Sequence, residues 1–246
     1  MPLDFDIAIV TALRARPFIH HTMASVTSAD ATISEHLPIH CFVDADNADF
    51  LERYKNIAQL IPLAPEETEI RAQWTDVRMA VMYNFWRCFH WFHDSAKKLL
   101  VCEDDISFAP DWIRKLQPIV EDIESKVGDL YALTLYSPYN WPEVIGNDEQ
   151  PYVFMKKVGF YGSQAMLYSP KARLLMENYL WKEGIEKLCP PADLRVRDGC
   201  MAEGIPLLSL THSLVQHEGY ITSGSIREEG DRSFAHRSPT FFDTDS

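Results

Sequence analysis

The sequence predicts an α/β fold in a single domain, a mostly parallel sheet flanked by helices, and three observations carry that prediction. Leu99-Leu100-Val101-Cys102 is an unbroken apolar run, the pattern of a strand buried on both faces in a sheet covered by helices. Largely apolar runs at Phe5–Val10 and Ile39–Val43 alternate with segments of helical spacing, as in strands joined by crossover helices. With 246 residues, 46% of them hydrophobic, the chain can bury a substantial core as one domain with a small additional part.

Taken in order, Phe5–Val10 is a strand, Thr11–Pro17 a turn holding Arg14 and Arg16, and Phe18–Ser25 a helix. Ile39–Val43 is a second strand that ends in Asp44-Ala45-Asp46, followed by a short helix over Asp49–Asn56 and a strand over Ile57–Leu63. Thr75 can cap a helix over Asp76–His93, whose apolar residues, from Val77 to Trp91 and Phe92, cover most of its circumference. Such a helix is expected to be buried on several sides. His90 and His93 stand at i, i+3, a spacing a metal site can use, but without a carboxylate or cysteine set around them they read as core or surface histidines.

After the Lys98 strand, a helix starts at Asp111 and runs to about Ser125, and Leu130–Tyr136 is a strand. Ser137–Gln150 is rich in turn residues and carries Tyr139 and Trp141. Its aromatics suit either sugar stacking or loop packing. Tyr152–Met155 and Gln164–Tyr168 are strands around a segment with Gly159 and Gly162. Glycines there let backbone approach a ligand closely. Ser169 and Pro170 start a helix reaching Trp181, as N-cap and first helical residue. Asp193 precedes a helix over Leu194–Glu203, and Ile205–Leu210 is a late strand. The division is a domain over 1–225 and a polar, irregular tail over 226–246.

A formal charge of −13 argues against a nucleic-acid partner, since such proteins present basic surfaces. Five cysteines without a CxxC pair fit free thiols in a reducing compartment. No apolar run is long enough to span a bilayer. The N-terminus, with Asp4 and Asp6, does not read as a signal peptide. The expected location is the cytoplasm, or a secretory lumen if the chain is part of a longer one.

The chemistry concentrates at Glu103-Asp104-Asp105, where the apolar strand ends. Like charges this close repel unless a cation or proton intervenes. Hard divalent ions prefer oxygen ligands and often bridge carboxylates to phosphates. The carboxyl ends of strands are where open α/β sheets bind ligands. The triplet by itself equally suits a solvated acidic turn that caps the helix at Asp111.

Glu103-Asp104-Asp105-Ile106 resembles the DxD-type motif of GT-A fold glycosyltransferases, which have a Rossmann-like sheet. Together with Pro110-Asp111-Trp112, Gly159-Phe160-Tyr161-Gly162, Pro191-Ala192-Asp193 and Gln216-His217-Glu218-Gly219, it is similar to the N-acetylglucosaminyltransferase IV family. Thr11–Ser25 and Phe42-Val43-Asp44-Ala45-Asp46 look similar as well. Arg195 and Arg197 stand where that family is more apolar.

The resemblance implies a GT-A domain that moves a sugar from a nucleotide diphosphate sugar, a UDP-sugar first, to a hydroxyl of a glycan or other acceptor. Mn²⁺ or Mg²⁺ would be held by Asp105 and His217. Glu103 and Asp104 would contact the metal's waters or the ribose. Thr11, Arg14 and Asp44 would lie near the nucleoside, with Gly159 and Gly162 in a loop closing over the donor. An inverting reaction would use Asp193 as general base, with Asp198 or Glu203 as rivals. The competing readings are a catalytically silent GT-A-like domain that binds carbohydrate or protein, and a metal-dependent phosphohydrolase.

Overall fold

A computed structural model describes residues 4–11, 18–28, 39–44, 51–53, 55–56, 58–73, 77–137, 143–145, 147, 149–156, 160, 162–183, 192–218, 238 and 241. The chain starts with strand β1 (Phe5–Thr11), helix α1 (Ile19–Ser28) and strands β2 (Ile39–Val43) and β3 (Gln59–Ile61). Helices α2 (Pro65–Ala72) and α3 (Val77–Trp91) lead to strands β4 (Lys98–Glu103) and β5 (Ile106–Phe108). Then follow α4 (Trp112–Lys126), β6 (Ala132–Thr134), β7 (Tyr152–Phe154) and β8 (Ala165–Tyr168). Helices α5 (Pro170–Glu183) and α6 (Ala192–Ala202) and strands β9 (Leu207–Leu210) and β10 (Val215–His217) complete the described elements.

Eight strands form one sheet in the order β3-β2-β1-β4-β8-β6-β9-β7, and β5 pairs with β10 in a separate two-stranded ribbon. β3, β2, β1 and β4 are parallel neighbours, as are β6 and β9. β8 lies antiparallel between β4 and β6, and β7 is antiparallel at the far edge. The chain leaves β1 toward β2 and β3 on one side and returns to β4 on the other. That reversal makes the carboxyl ends of β1 and β4 a topological switch point, the position where α/β sheets bind ligands.

Strand alternation divides the core. Ile7, Ile9, Leu100 and Cys102 face one layer, with Met23 and Val26 of α1 and Trp112, Leu116 and Val120 of α4. Ala8, Val10, Leu99 and Val101 face the other, with Phe85 and Phe89 of α3, Met176 of α5 and Val196 of α6. The sheet is thus covered on both faces, which is why its central strands read as continuous apolar runs. Burying one apolar side chain such as Leu100 contributes ~1.5–3 kcal/mol.

The Ser169 hydroxyl accepts the Ala172 N–H at 3.2 Å, so this helix begins as its sequence predicts. α2 was not legible from apolar spacing because it buries no residue. Its start is nevertheless encoded: Pro65 occupies the first turn, and the Glu67 carboxylate accepts the Ala64 N–H at 2.7 Å. Trp91, expected in the core, is 52% exposed at the end of α3. Cys41, Cys88, Cys102 and Cys200 are buried free thiols. Among the described residues, no helix is long and apolar enough to cross a membrane.

Candidate metal centre

The apolar run stops at Glu103, and the bend at Asp104–Asp105 separates β4 from β5. The bend carries the chain out of the large sheet into the ribbon with β10, where Ile106 stands opposite His217. The Glu218 N–H donates to the Asp105 carbonyl at 2.8 Å. Residues more than a hundred positions apart are therefore joined backbone to backbone at the acidic bend. His217 Nε2 lies 3.6 Å from Asp105 Oδ2 and 3.8 Å from Glu103 Oε2. One ligand atom from each of the three residues falls within 4.8 Å of the others.

Two carboxylates and one imidazole suit a divalent ion, and the mixture of hard oxygens with a nitrogen fits Mn²⁺ at least as well as Mg²⁺. Glu103, expected to contact the metal's waters or the ribose, lies in one group with Asp105 and His217. Burial alone would lower the basicity of His217. Asp105, Glu103 and Asp193 outweigh that effect and bring its pKa up to about 9.

Asp104, in the bend between Glu103 and Asp105, is turned to a different partner from this cluster. Its Oδ2 accepts the Thr11 hydroxyl proton. Both residues are buried, and their bond joins the carboxyl ends of the neighbouring strands β1 and β4. The triplet does not cap α4. That helix begins after Asp111, in a left-handed conformation (φ 54°) and with no side-chain cap hydrogen bond.

Asp44 ends β2 on the same rim, where its N–H bonds the Thr11 carbonyl at 3.1 Å. Its carboxylate is held by Arg71 of α2 in a bidentate pair, at 2.8 and 3.2 Å. Arg71 was not singled out in the sequence, because its helix was not. Arg14 and Gly159 lie outside the described residues. Gly162 is buried, and its carbonyl accepts the Thr134 hydroxyl at 2.6 Å.

The next N–H, that of Ser163, donates to Asp193 Oδ1 at 2.9 Å. The glycine segment thus ties the β6 side of the sheet to the first turn of α6. Burial pushes the Asp193 carboxyl up, and Ser163 and the charge of His217 only partly oppose this. Among the rivals, Asp198 is bonded to the adjacent Arg197 at 2.7 and 2.9 Å, and Glu203 follows the last residue of α6.

Tyr136, unnoticed in the sequence, completes the enclosure. It is 2% exposed, and its ring packs edge-on against His217 with centroids 6.3 Å apart. Burial first, then Asp193 and Glu103, raise its pKa. His90 and His93 sit elsewhere, each with Nδ1 on a carboxylate oxygen of Glu177, at 2.9 and 2.7 Å. A groove of about 480 Å³ runs past Asp122, Lys126, Glu143 and Tyr152, and none of the candidate residues lines it.

No family model matches the chain, and no curated protein matches it.

Proposed function

We propose that the protein is a metal-dependent GT-A glycosyltransferase. It transfers a sugar from a nucleotide diphosphate sugar, a UDP-sugar first, to a hydroxyl of a glycan or other acceptor. The observation that carries this reading is the convergence of Glu103, Asp105 and His217 at the sheet's switch point, with Asp193 close enough to His217 for their charges to interact.

Glu103, Asp105 and His217 would hold Mn²⁺ or Mg²⁺. When bound, such an ion supplies charge neutralisation to a departing diphosphate. Asp193, with its carboxyl raised by burial, accepts the acceptor hydroxyl's proton at the carboxylate oxygens, as an inverting displacement requires. The Ser163 N–H holds one of those oxygens in place. Asp44, oriented by Arg71, offers hydrogen-bond acceptors at the rim where a ribose or base would lie. Tyr136 packs edge-on against the His217 ring.

The test is titration with UDP-, GDP- and CMP-sugars, with and without Mn²⁺, followed by calorimetry and by an assay for sugar transfer. Metal-dependent binding of one donor supports the transferase. Carbohydrate binding without any donor or metal dependence favours a silent domain. Metal-dependent release of inorganic phosphate from simple esters favours a phosphohydrolase.

A further inference from the structure

Asp105 is held by a part of the chain that carries no ligand. Thr22 is fully buried in the middle of α1. Its hydroxyl oxygen lies 2.8 Å from the Asp104 carbonyl and 2.8 Å from the Ile106 carbonyl. It also accepts the Ile106 N–H at 3.2 Å. A hydroxyl has one proton and two lone pairs, so the proton is shared between the two carbonyls while a lone pair takes the N–H. One turn along the same face, the Ser25 hydroxyl accepts the Phe108 N–H at 3.0 Å. Thr22 and Ser25 therefore grip the chain where it leaves the sheet.

This grip has a geometric consequence for the residue between the two held positions. The backbone is fixed at 104 and 106 by Thr22, and the Asp105 carbonyl itself is fixed by the Glu218 N–H. With its peptide units anchored on both sides, Asp105 keeps its carboxylate on the same side as Glu103, facing His217. A bend without these anchors could rotate the Asp105 peptide, and mutual repulsion of the carboxylates would favour that rotation. Outer groups of this kind commonly set metal affinity by orienting the ligands.

We infer that Thr22 is a positioning residue for the metal centre: its hydroxyl locks the Asp104–Ile106 backbone so that Asp105 is aimed at the ion. The inference rests on the proposed metal centre and goes further, because it assigns affinity to a hydroxyl that touches no ligand atom.

The experiment is titration of the full chain with Mn²⁺ alone, read by electron paramagnetic resonance of the free ion, alongside thermal unfolding. Thr22→Val keeps the side chain's shape and removes the hydroxyl. It is expected to weaken Mn²⁺ binding ~10–100-fold, and Thr22→Ser, which restores the hydroxyl, is expected to bind as the wild type does. Val26→Ala removes buried volume from the same helix without touching the bend, so it should lower the melting temperature and leave Mn²⁺ affinity unchanged. Should Thr22→Val not fold, Thr22→Cys, with its weaker donor and acceptor, is expected to give an intermediate loss. Wild-type affinity in Thr22→Val or Thr22→Cys overturns the inference while leaving the metal centre intact. Equal loss of affinity in Val26→Ala shows general destabilisation and also overturns it. A wild-type protein that takes up no Mn²⁺ overturns the metal centre itself, and the inference with it.

Discussion

The Nε2 atom of His217 stands 3.6 Å from Asp105 Oδ2 and 3.8 Å from Glu103 Oε2, so a protonated imidazole can supply the counter-charge that a divalent ion would otherwise bring. Proton and metal compete for one place. With the His217 pKa raised to about 9, the metal-free protein carries that proton at pH 7, and a coordinating imidazole must be neutral. Mn²⁺ binding at pH 7 is therefore expected to release about one proton. Calorimetry in buffers of different ionisation enthalpy measures this number, and a value of zero would remove His217 from the ligand set.

The same shift sets a pH dependence for the metal-free protein. A histidine whose folded pKa lies above its unfolded value stabilises the fold fully below the unfolded value, about 6.5. That stabilisation is lost as pH rises through about 9. The loss is at most about 3 kcal/mol, and His217→Gln is expected to abolish it. Urea unfolding at pH 6, 7.5 and 9.5 in a chelator checks the direction. Stability rising across that window would contradict the arrangement of charges around His217.

Asp193→Asn retains an oxygen for the Ser163 N–H and removes the basic carboxylate. Under the proposed reaction, turnover is expected to fall ~10²–10⁴-fold, the usual contribution of a positioned base, with donor binding unchanged. Because burial raises the Asp193 carboxyl, the wild-type rate should decline as pH falls through a value above the ordinary carboxylate range. A variant with wild-type turnover would return the choice of base to Asp198 or Glu203.

What the sequence showed of this site depended on how local each signal was. The strand ending at Glu103 was legible because both its faces are buried, leaving an unbroken apolar run. Asp105 was singled out through the family resemblance rather than through its own spacing, because an acidic strand end by itself equally suits a solvated turn, and the structure places it beside Glu103 and His217. The partnership of Glu103 with the ligands, and of Asp104 with Thr11, depends on the bend between β4 and β5, which residue types do not announce. β10 is three residues long, too short for a periodic signal, although it delivers His217. Arg71, Tyr136 and Thr22 act through tertiary contacts from elements whose sequences are ordinary.

Away from the site, Arg173 makes the clearest stability prediction. It is 1% exposed, and its guanidinium donates to the carbonyls of His93, Ser95 and Lys97 at 3.2, 2.5 and 3.2 Å. These carbonyls belong to the turn that carries the chain from α3 into β4. Ser95 is further tied to Asp6 of β1 at 2.7 Å. Arg173→Met keeps the apolar stem and leaves the three carbonyls without this donor, at a cost of ~1–3 kcal/mol for each one that water does not reach. The expected loss is about 2–5 kcal/mol in chemical denaturation. The turn lies at the amino end of β4, opposite the Glu103–Asp105 end, so Mn²⁺ affinity of the folded fraction should not change. A loss below about 1 kcal/mol, within the range of ordinary surface substitutions, would mean that the turn holds its shape without Arg173. A parallel fall in Mn²⁺ affinity would mean that strain at one end of β4 reaches the other.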